Sequence, residues 1–162
     1  MKKLLIALVV IAFLAGAAFA GSTDTQTVYY EIDAINEITF DLDCTLTVDT
    51  ATAGSQPTQA HAYGEGLDWN ITTNCTGKKI TGAINVNMPS NTTLTVYLDN
   101  SGWGCGSPVG NVVLNTTSQN MITSIGQVAH ANNYQDIFFK ANVEAGLPSD
   151  FSRVITYTLT DE

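Results

Sequence analysis

Hydrophobic side chains occupy alternate positions along the first part of the chain. From residue 28 to residue 48 the even positions are apolar except for Asn36: Val28, Tyr30, Ile32, Ala34, Ile38, Phe40, Leu42, Cys44, Leu46 and Val48. The positions between them are mostly polar or acidic. Alternate side chains point to opposite faces of a strand, so this stretch predicts two or three strands with one buried face.

The same period continues further along the chain, with short turns between the apolar runs. Residues 80–86 and 93–98 flank a Met-Pro-Ser-Asn turn, which predicts a β-hairpin. Alternating runs also cover 67–71, 112–114, 137–143 and 155–159, whereas 118–131 is less regular and is open to a helical turn. The whole pattern predicts an all-β fold, an antiparallel immunoglobulin-like β-sandwich of about eight to ten short strands.

The first 20 residues have a different pattern, that of a secretory signal peptide. Lys2 and Lys3 precede an apolar run, and Ala18-Phe19-Ala20 forms an A-x-A cleavage site before Gly21. We therefore expect residues 1–20 to be removed and residues 21–162 to form a single β-sandwich domain that is secreted or held at the cell surface. No second apolar run is long enough to span a bilayer, so the mature chain is expected to have no membrane span.

Charge and motifs narrow the classes of function. Without Lys2 and Lys3 the chain has 4 basic and 15 acidic side chains, a net charge of −11. This balance argues against nucleic acid and anionic membrane surfaces as partners, because both need a basic face. The sequence holds no G-x-S-x-G, H-E-x-x-H, P-loop or G-x-G-x-x-G motif. We therefore expect no enzymatic activity and no cofactor.

Three cysteines leave one thiol unpaired if a disulfide forms in the secreted chain. If residues 80–86 and 93–98 form a hairpin, Cys75 and Cys105 lie at the same end of the domain, which favours a Cys75–Cys105 bridge. Cys44 shares the inward phase of Leu42 and Leu46, so it is expected to be a buried thiol. The alternative is a Cys44–Cys105 bridge with Cys75 free. Three scattered cysteines do not make a zinc site, and we expect no metal.

Two aromatic residues lie in phase with apolar neighbours and are expected in the core: Trp69 with Leu67 and Ile71, and Tyr157 with Ile155 and Leu159. The segments around them, residues 66–72 and 154–161, resemble the paired motifs of the WxL domains found on Gram-positive cell surfaces. Ile71 stands where that family has Leu, and Tyr157 where it has Trp. Membership would imply cell-wall attachment or a role in a surface assembly. The chain is also similar to small secreted β proteins with a D-A-I-N-E strand, a likeness that implies no known activity.

Other side chains are candidates for surface contacts. Trp103 lies among glycines and is either an exposed contact or a plug at one end of the sandwich, and Tyr63 and Tyr134 are further exposed candidates. The stretch from His61 to Glu65 is expected to be a solvated loop rather than a metal site. Among the N-x-[ST] sequons, Asn91 and Asn115 are candidate glycosylation sites.

These observations leave two functions for the mature chain. The first is a structural or adhesive surface protein, a subunit of an extracellular assembly or filament. Its assembly strand would be the segment from Thr25 to Asp33, with Val28, Tyr30 and Ile32 against the edge of a neighbouring subunit. In the alternative, that segment is the first strand of its own domain. The second function is a glycan- or peptidoglycan-binding module of the cell surface, using exposed aromatic side chains. We expect self-association, or a cell-wall or surface glycan, as the partner.

Overall fold

A computed structural model describes residues 23–64, 66–100, 104, 106–146 and 151–162. The chain divides into two units between Ile32 and Asp33. In the first unit, the described residues 23–32 have no strand or helix. The second unit contains all the strands that the described residues form.

The described residues of the second unit form ten strands and one short turn of 3-10 helix, Val143–Ala145. The strands are β1 (Asn36–Phe40), β2 (Ala60–Ala62), β3 (Asp68–Thr73), β4 (Lys78–Ile84), β5 (Thr92–Leu98), β6 (Ser107–Pro108), β7 (Val112–Val113), β8 (Gln119–Ile125), β9 (Val128–Ala141) and β10 (Ile155–Asp161). The larger sheet has the order β1-β3-β9-β5-β7, with β2 also paired to β9, and the smaller has the order β10-β4-β8-β6. Every pairing is antiparallel. The all-β sandwich predicted from the sequence is confirmed.

The core lies between the two sheets and follows the predicted alternation on several strands. On β5, Leu94, Val96 and Leu98 are buried, and Thr93 between two inward positions is exposed. Side chains from both sheets complete the core, and the largest fully buried ones are Trp69, Ile71, Ile80, Leu98, Met121, Ile122, Ile125 and Val96. Burial of these side chains is the main term that stabilises the sandwich.

The predicted hairpin between residues 80–86 and 93–98 is wrong. Ile80 lies opposite Leu159 of β10 and Ile122 of β8, all in the smaller sheet. Leu98 lies opposite Gln135 of β9, in the larger sheet. Two consecutive strands of a sandwich can lie side by side in one sheet or in different sheets on opposite sides of the core. The alternation of apolar residues does not distinguish these two arrangements. The hairpin therefore no longer supports a choice of cysteine pair.

The alternation from residue 28 to residue 48 also predicts more strands than the structure contains there. Only Asn36–Phe40 is a strand, and Leu42 is 74% exposed. Cys44 is exposed, so its predicted burial is wrong, although Leu46 and Val48 are half-buried. Alternation shows which side chains share a face, but a strand also needs a neighbour with which to form hydrogen bonds.

The segment 118–131 is extended rather than helical. It contains β8 and the start of β9. Met121 and Ile122 are consecutive and both buried, and the pairing of β8 with β4 shifts register on either side of Ile80. Such irregularities place neighbouring residues on one face. This explains why the sequence shows no clear period of two here.

Candidate interaction site: a groove beside a sheet edge

A groove of about 960 Å³ lies on the side of the sandwich, within residues 33–162. Apolar side chains line much of it, among them Leu46, Val48, Leu94, Ile137, Phe139 and Ile155. Its volume is near the upper end of the roughly 300–1,000 Å³ typical of ligand pockets. The groove is therefore large enough for several side chains.

The larger sheet supplies one wall of the groove. Leu94 on β5 lies opposite Phe139 on β9, and Val96 lies opposite Ile137 in the same register. Leu94 and Ile137 are 7% and 6% exposed. These positions are fixed by a long antiparallel ladder, so this wall is a rigid apolar surface.

The other walls come from the smaller sheet and from a segment with little regular structure. Ile155, the first residue of β10, lines the groove from the smaller sheet. Residues 44–51 contribute half-buried Leu46 and Val48. This segment is held by one bridge, Ala51 to Pro57, and by the Thr58 amide, which donates to the Thr50 carbonyl at 2.8 Å. The groove thus has one rigid side and one side with few backbone hydrogen bonds.

Strand β10 forms an edge of the smaller sheet, and its first residue, Ile155, lines the groove. It pairs with β4 over seven residues, from Ile155 opposite Ile84 to Asp161 opposite Lys78. Among the described strands it has no partner on its other side. An edge of this kind presents backbone donors and acceptors on which a further strand can pair.

Arg153 gives the groove a positive charge. Its guanidinium donates to the Asn87 carbonyl at 2.8 and 3.2 Å and to the Ser152 carbonyl at 2.7 Å, and it lies 4.9 Å from the centre of the Phe151 ring. No carboxylate within the described ranges forms an ion pair with it. Because carbonyl groups hold the guanidinium without neutralising it, its charge remains available to an acidic ligand.

Tyr157 lies close to Cys44, which lines the groove. Tyr157 stacks on Phe40 with ring centroids 3.8 Å apart, and the Gln135 side-chain amide donates to its hydroxyl. Burial, and then the nearby Cys44 sulfur, raise the pKa of Tyr157 well above its usual range. Partial burial and the charge of Asp43 raise the pKa of the Cys44 thiol. Both groups are therefore neutral near pH 7.

The predicted disulfide stays a prediction. No disulfide is present in the part of the chain that the structure describes, where Cys44 and Cys75 are not bonded to each other. Cys75 is half-buried, and its Sγ lies 3.4 Å from Asn74 Oδ1. Cys105 lies outside the described residues, and so does Trp103.

The candidate assembly strand has exposed apolar side chains. Val28, Tyr30 and Ile32 are 54%, 88% and 85% exposed, and Tyr29 between them is 91% exposed. Residues 23–32 form no strand in the single chain. Large exposed apolar side chains at alternate positions are typical of an interaction segment.

A cluster of aromatic rings lies on the outward face of the larger sheet, and the sequence predicted only some of its members. The His61 ring stacks between Tyr63, at 4.6 Å, and Phe138, at 4.2 Å, and its Nε2 lies 3.0 Å from Asp136 Oδ1. His61 and Tyr63 were candidates, and His61 lies on β2 rather than in a loop. Phe138 and Asp136 were missed, although they occupy the outward phase of the run that contains Ile137. Tyr134 is 58% exposed and is not among these stacked rings.

The WxL-like positions have structural roles. Trp69 is fully buried, as predicted, and its indole N–H donates to the Tyr134 carbonyl at 3.2 Å. Tyr157 is half-buried against the core. These contacts explain both aromatics without a ligand, and the WxL resemblance stays a prediction.

The glycosylation candidates are accessible. Asn91 and Asn115 are both exposed, and Asn91 has a φ of 60°. Within the described ranges, no group of three or more His, Cys, Asp or Glu side chains is placed to hold a metal ion. No helix among those residues is long and apolar enough to cross a membrane.

Comparison with protein-family models and with curated proteins finds no match to this chain.

Proposed function

We propose that this protein is a secreted structural subunit that self-associates into an extracellular assembly through the segment from Thr25 to Asp33. The observation that carries the proposal is the exposure of Val28, Tyr30 and Ile32 at alternate positions. The segment follows the predicted cleavage site, so it would lie near the start of the mature chain.

The physical argument is the cost of leaving these side chains in water. Burial of a large apolar side chain contributes roughly 1.5–3 kcal/mol, so three of them provide a substantial driving force. An extended segment with one apolar face can recover this energy by adding to the edge of a sheet in another molecule. Backbone hydrogen bonds then support the same association.

Two neighbouring tyrosines allow a matched test. Tyr30→Asp places a charge on the apolar face, whereas Tyr29→Asp places the same charge on the opposite face of an extended segment. The two residues are 88% and 91% exposed, so neither substitution should disturb the sandwich.

The assay is size-exclusion chromatography with light scattering on residues 21–162 at several concentrations, with negative-stain microscopy of the heaviest fraction. We expect oligomers or fibres from the wild type and from Tyr29→Asp, and loss of assembly in Tyr30→Asp. A wild-type protein that stays monomeric at every concentration would refute the proposal.

A glycan-binding module is the second candidate, and the His61–Tyr63–Phe138 stack favours it. Tyr63 is 71% exposed, and Asp136 places a carboxylate beside the rings. An exposed aromatic ring next to a polar group is a common arrangement for holding a ligand with both apolar and hydroxyl surfaces. Pull-down with cell-wall and surface polysaccharides should then be lost in Tyr63→Ala and kept in Tyr134→Ala. Equal binding by both variants would remove this support.

A further inference from the structure

We infer that β10 pairs with β10 of a second copy of this chain, as antiparallel strands related by a twofold axis, so that the two smaller sheets join into one. This contact is separate from the one proposed for the segment 25–33, and neither depends on the other. Three properties of the described residues support it: an edge without protection, the direction of its backbone groups, and the charges at its two ends.

The edge formed by β10 lacks the features that usually prevent a strand from pairing, which are short length, proline, bulges and charges within the strand. The other edge strands in the described ranges have at least one of them. Strands β2, β6 and β7 have only two or three residues, Pro108 lies in β6, and Glu37 lies in the five-residue β1. Strand β10 has seven residues, no charged residue before Asp161, and a continuous register with β4. It is therefore an edge on which another strand can pair.

The backbone groups at this edge belong to the odd-numbered residues of β10. The Val154 carbonyl accepts from the Asn85 amide at 3.1 Å, and the Glu162 amide donates to the Gly77 carbonyl at 2.9 Å. Both bonds continue the register of β10 with β4, in which every second pair of residues exchanges hydrogen bonds. The even-numbered residues thus direct their backbone groups to β4, and the odd-numbered residues from 155 to 161 direct theirs away from it. Among the described strands none pairs with β10 on that side.

A twofold axis perpendicular to the sheet gives these groups partners. It keeps the core-facing sides of both copies on the same side of the joined sheet, so odd-numbered residues lie opposite odd-numbered residues. With the axis at Tyr157, Ile155 of each copy lies opposite Leu159 of the other, and Thr156 lies opposite Thr158. This arrangement forms about six backbone hydrogen bonds between the copies. Because both copies use the same surface, the contact closes at two copies.

The charges at the ends of β10 favour the antiparallel direction. Arg153 lies just before the strand, and Asp161 and Glu162 lie at its other end, where the Asp161 side chain is 84% exposed. With the axis at Tyr157, Arg153 of each copy lies opposite Asp161 of the other, whereas a parallel pair brings like charges together. Lys78 contacts Asp161 Oδ1 at 2.5 Å, and a carboxylate can accept from a second cation through its other oxygen.

Two charge variants test the pairing. The lysine variant is Thr156→Lys with Thr158→Lys, and the glutamate variant is Thr156→Glu with Thr158→Glu; both positions are exposed. These positions lie opposite each other in the pair, so each variant alone places like charges across the contact, and a mixture of the two places opposite charges there. We expect each variant alone to raise the Kd of the dimer at least about tenfold, equivalent to about 1.4 kcal/mol, and the mixture to form a heterodimer.

The matched control is Thr72→Lys with Thr93→Lys. It makes the same charge change at exposed threonines of β3 and β5, which lie inside the larger sheet rather than at an edge. The control should form dimers as its parent does. Circular dichroism of each variant establishes that its sandwich is folded.

The measurement is sedimentation velocity on residues 21–162 carrying Tyr30→Asp, at several concentrations up to the solubility limit. Tyr30→Asp removes the larger assembly through the segment 25–33 and should leave the β10 pair as a dimer. A Tyr30→Asp protein that is monomeric at every concentration would overturn the inference. Dimers of the lysine variant as stable as those of the control, or a mixture of the two charge variants that stays monomeric, would also overturn it.

The same measurement separates this contact from the proposed function. If the wild type forms large oligomers and Tyr30→Asp is monomeric, the association through the segment 25–33 stands and the β10 pair is wrong. If the wild type forms only dimers and the lysine variant loses them, the β10 pair stands and the proposed function is wrong. A wild type that is monomeric at every concentration would overturn both.

Discussion

Replacement of Tyr157 by Phe tests how a buried hydroxyl stabilises this sandwich. The Tyr157 ring stacks on Phe40 at 3.8 Å, and Phe retains that contact. The hydroxyl accepts a hydrogen bond from the Gln135 amide, and Gln135 is 4% exposed. Removal of the hydroxyl leaves this buried amide without its acceptor, so we expect the free energy of unfolding to fall by about 1–3 kcal/mol at pH 7. The double variant Tyr157→Phe, Gln135→Leu should recover part of the loss, because it removes both partners.

The same substitution should change the alkaline limb of the stability curve. The unfolded phenol loses its proton near pH 10, whereas burial raises the pKa of Tyr157 in the folded protein above that. The folded state therefore binds more protons above pH 10, and stability falls as pH rises from there through the raised pKa. The slope from this one group is up to about 1.4 kcal/mol per pH unit, and it is absent in Tyr157→Phe. Tyr97, whose pKa is raised by burial and by Asp99, keeps its contribution in both proteins.

Urea denaturation of the wild type and both variants, at pH 7 and at several values from 9 to 11.5, measures these effects. The reasoning is wrong if Tyr157→Phe costs less than about 0.5 kcal/mol at pH 7, or if its alkaline slope equals that of the wild type. The first result would mean that the Gln135 amide is solvated, and the second that the Tyr157 hydroxyl is not desolvated.

Three further substitutions probe the packing. Trp69→Ala should cost about 3–5 kcal/mol in urea denaturation, because it empties a fully buried site; a loss under 2 kcal/mol would contradict the burial. Gly82→Val should lower stability by about 1–3 kcal/mol in thermal melts, because a Cβ there lies 3.2 Å from Met121 Sδ, while Gly82→Ala should cost less. His61→Ala removes two ring contacts and the 3.0 Å contact with Asp136, and should cost about 1 kcal/mol; unchanged stability would mean that the stack does not hold β2.

The sequence predicts where individual strands lie and which of their side chains face the core. The alternation in 67–71, 93–98 and 155–159 identifies β3, β5 and β10 and the inward position of Trp69. These predictions succeed because a strand that faces a core has a period of two whatever its neighbours are.

The pairing of strands could not be predicted in the same way. Residues 80–86 and 93–98 have the alternation of a hairpin, yet β4 and β5 lie in different sheets, because strand pairing depends on long-range packing that a local period does not encode. The groove was also missed because its walls come from three distant parts of the chain, near Leu46, Ile137 and Ile155. Arg153 gave no sequence signal beyond being one of few basic residues.

The strand order has a consequence for how the chain reaches its native state. None of the ten described strands is hydrogen-bonded to the strand that directly precedes or follows it in the chain. The pairing of β4 with β10, for example, brings Lys78 opposite Asp161, and most of the second unit lies between these two residues in the chain. The ladders between β6 and β8 and between β5 and β7 close over loops of modest length, whereas the others join distant parts of the chain. Most of the sandwich therefore loses chain entropy before its long-range contacts compensate for the loss. We expect folding in milliseconds to seconds, with partly paired edges exposed in the meantime, so stopped-flow refolding should show no submillisecond phase that restores the buried environment of Trp69.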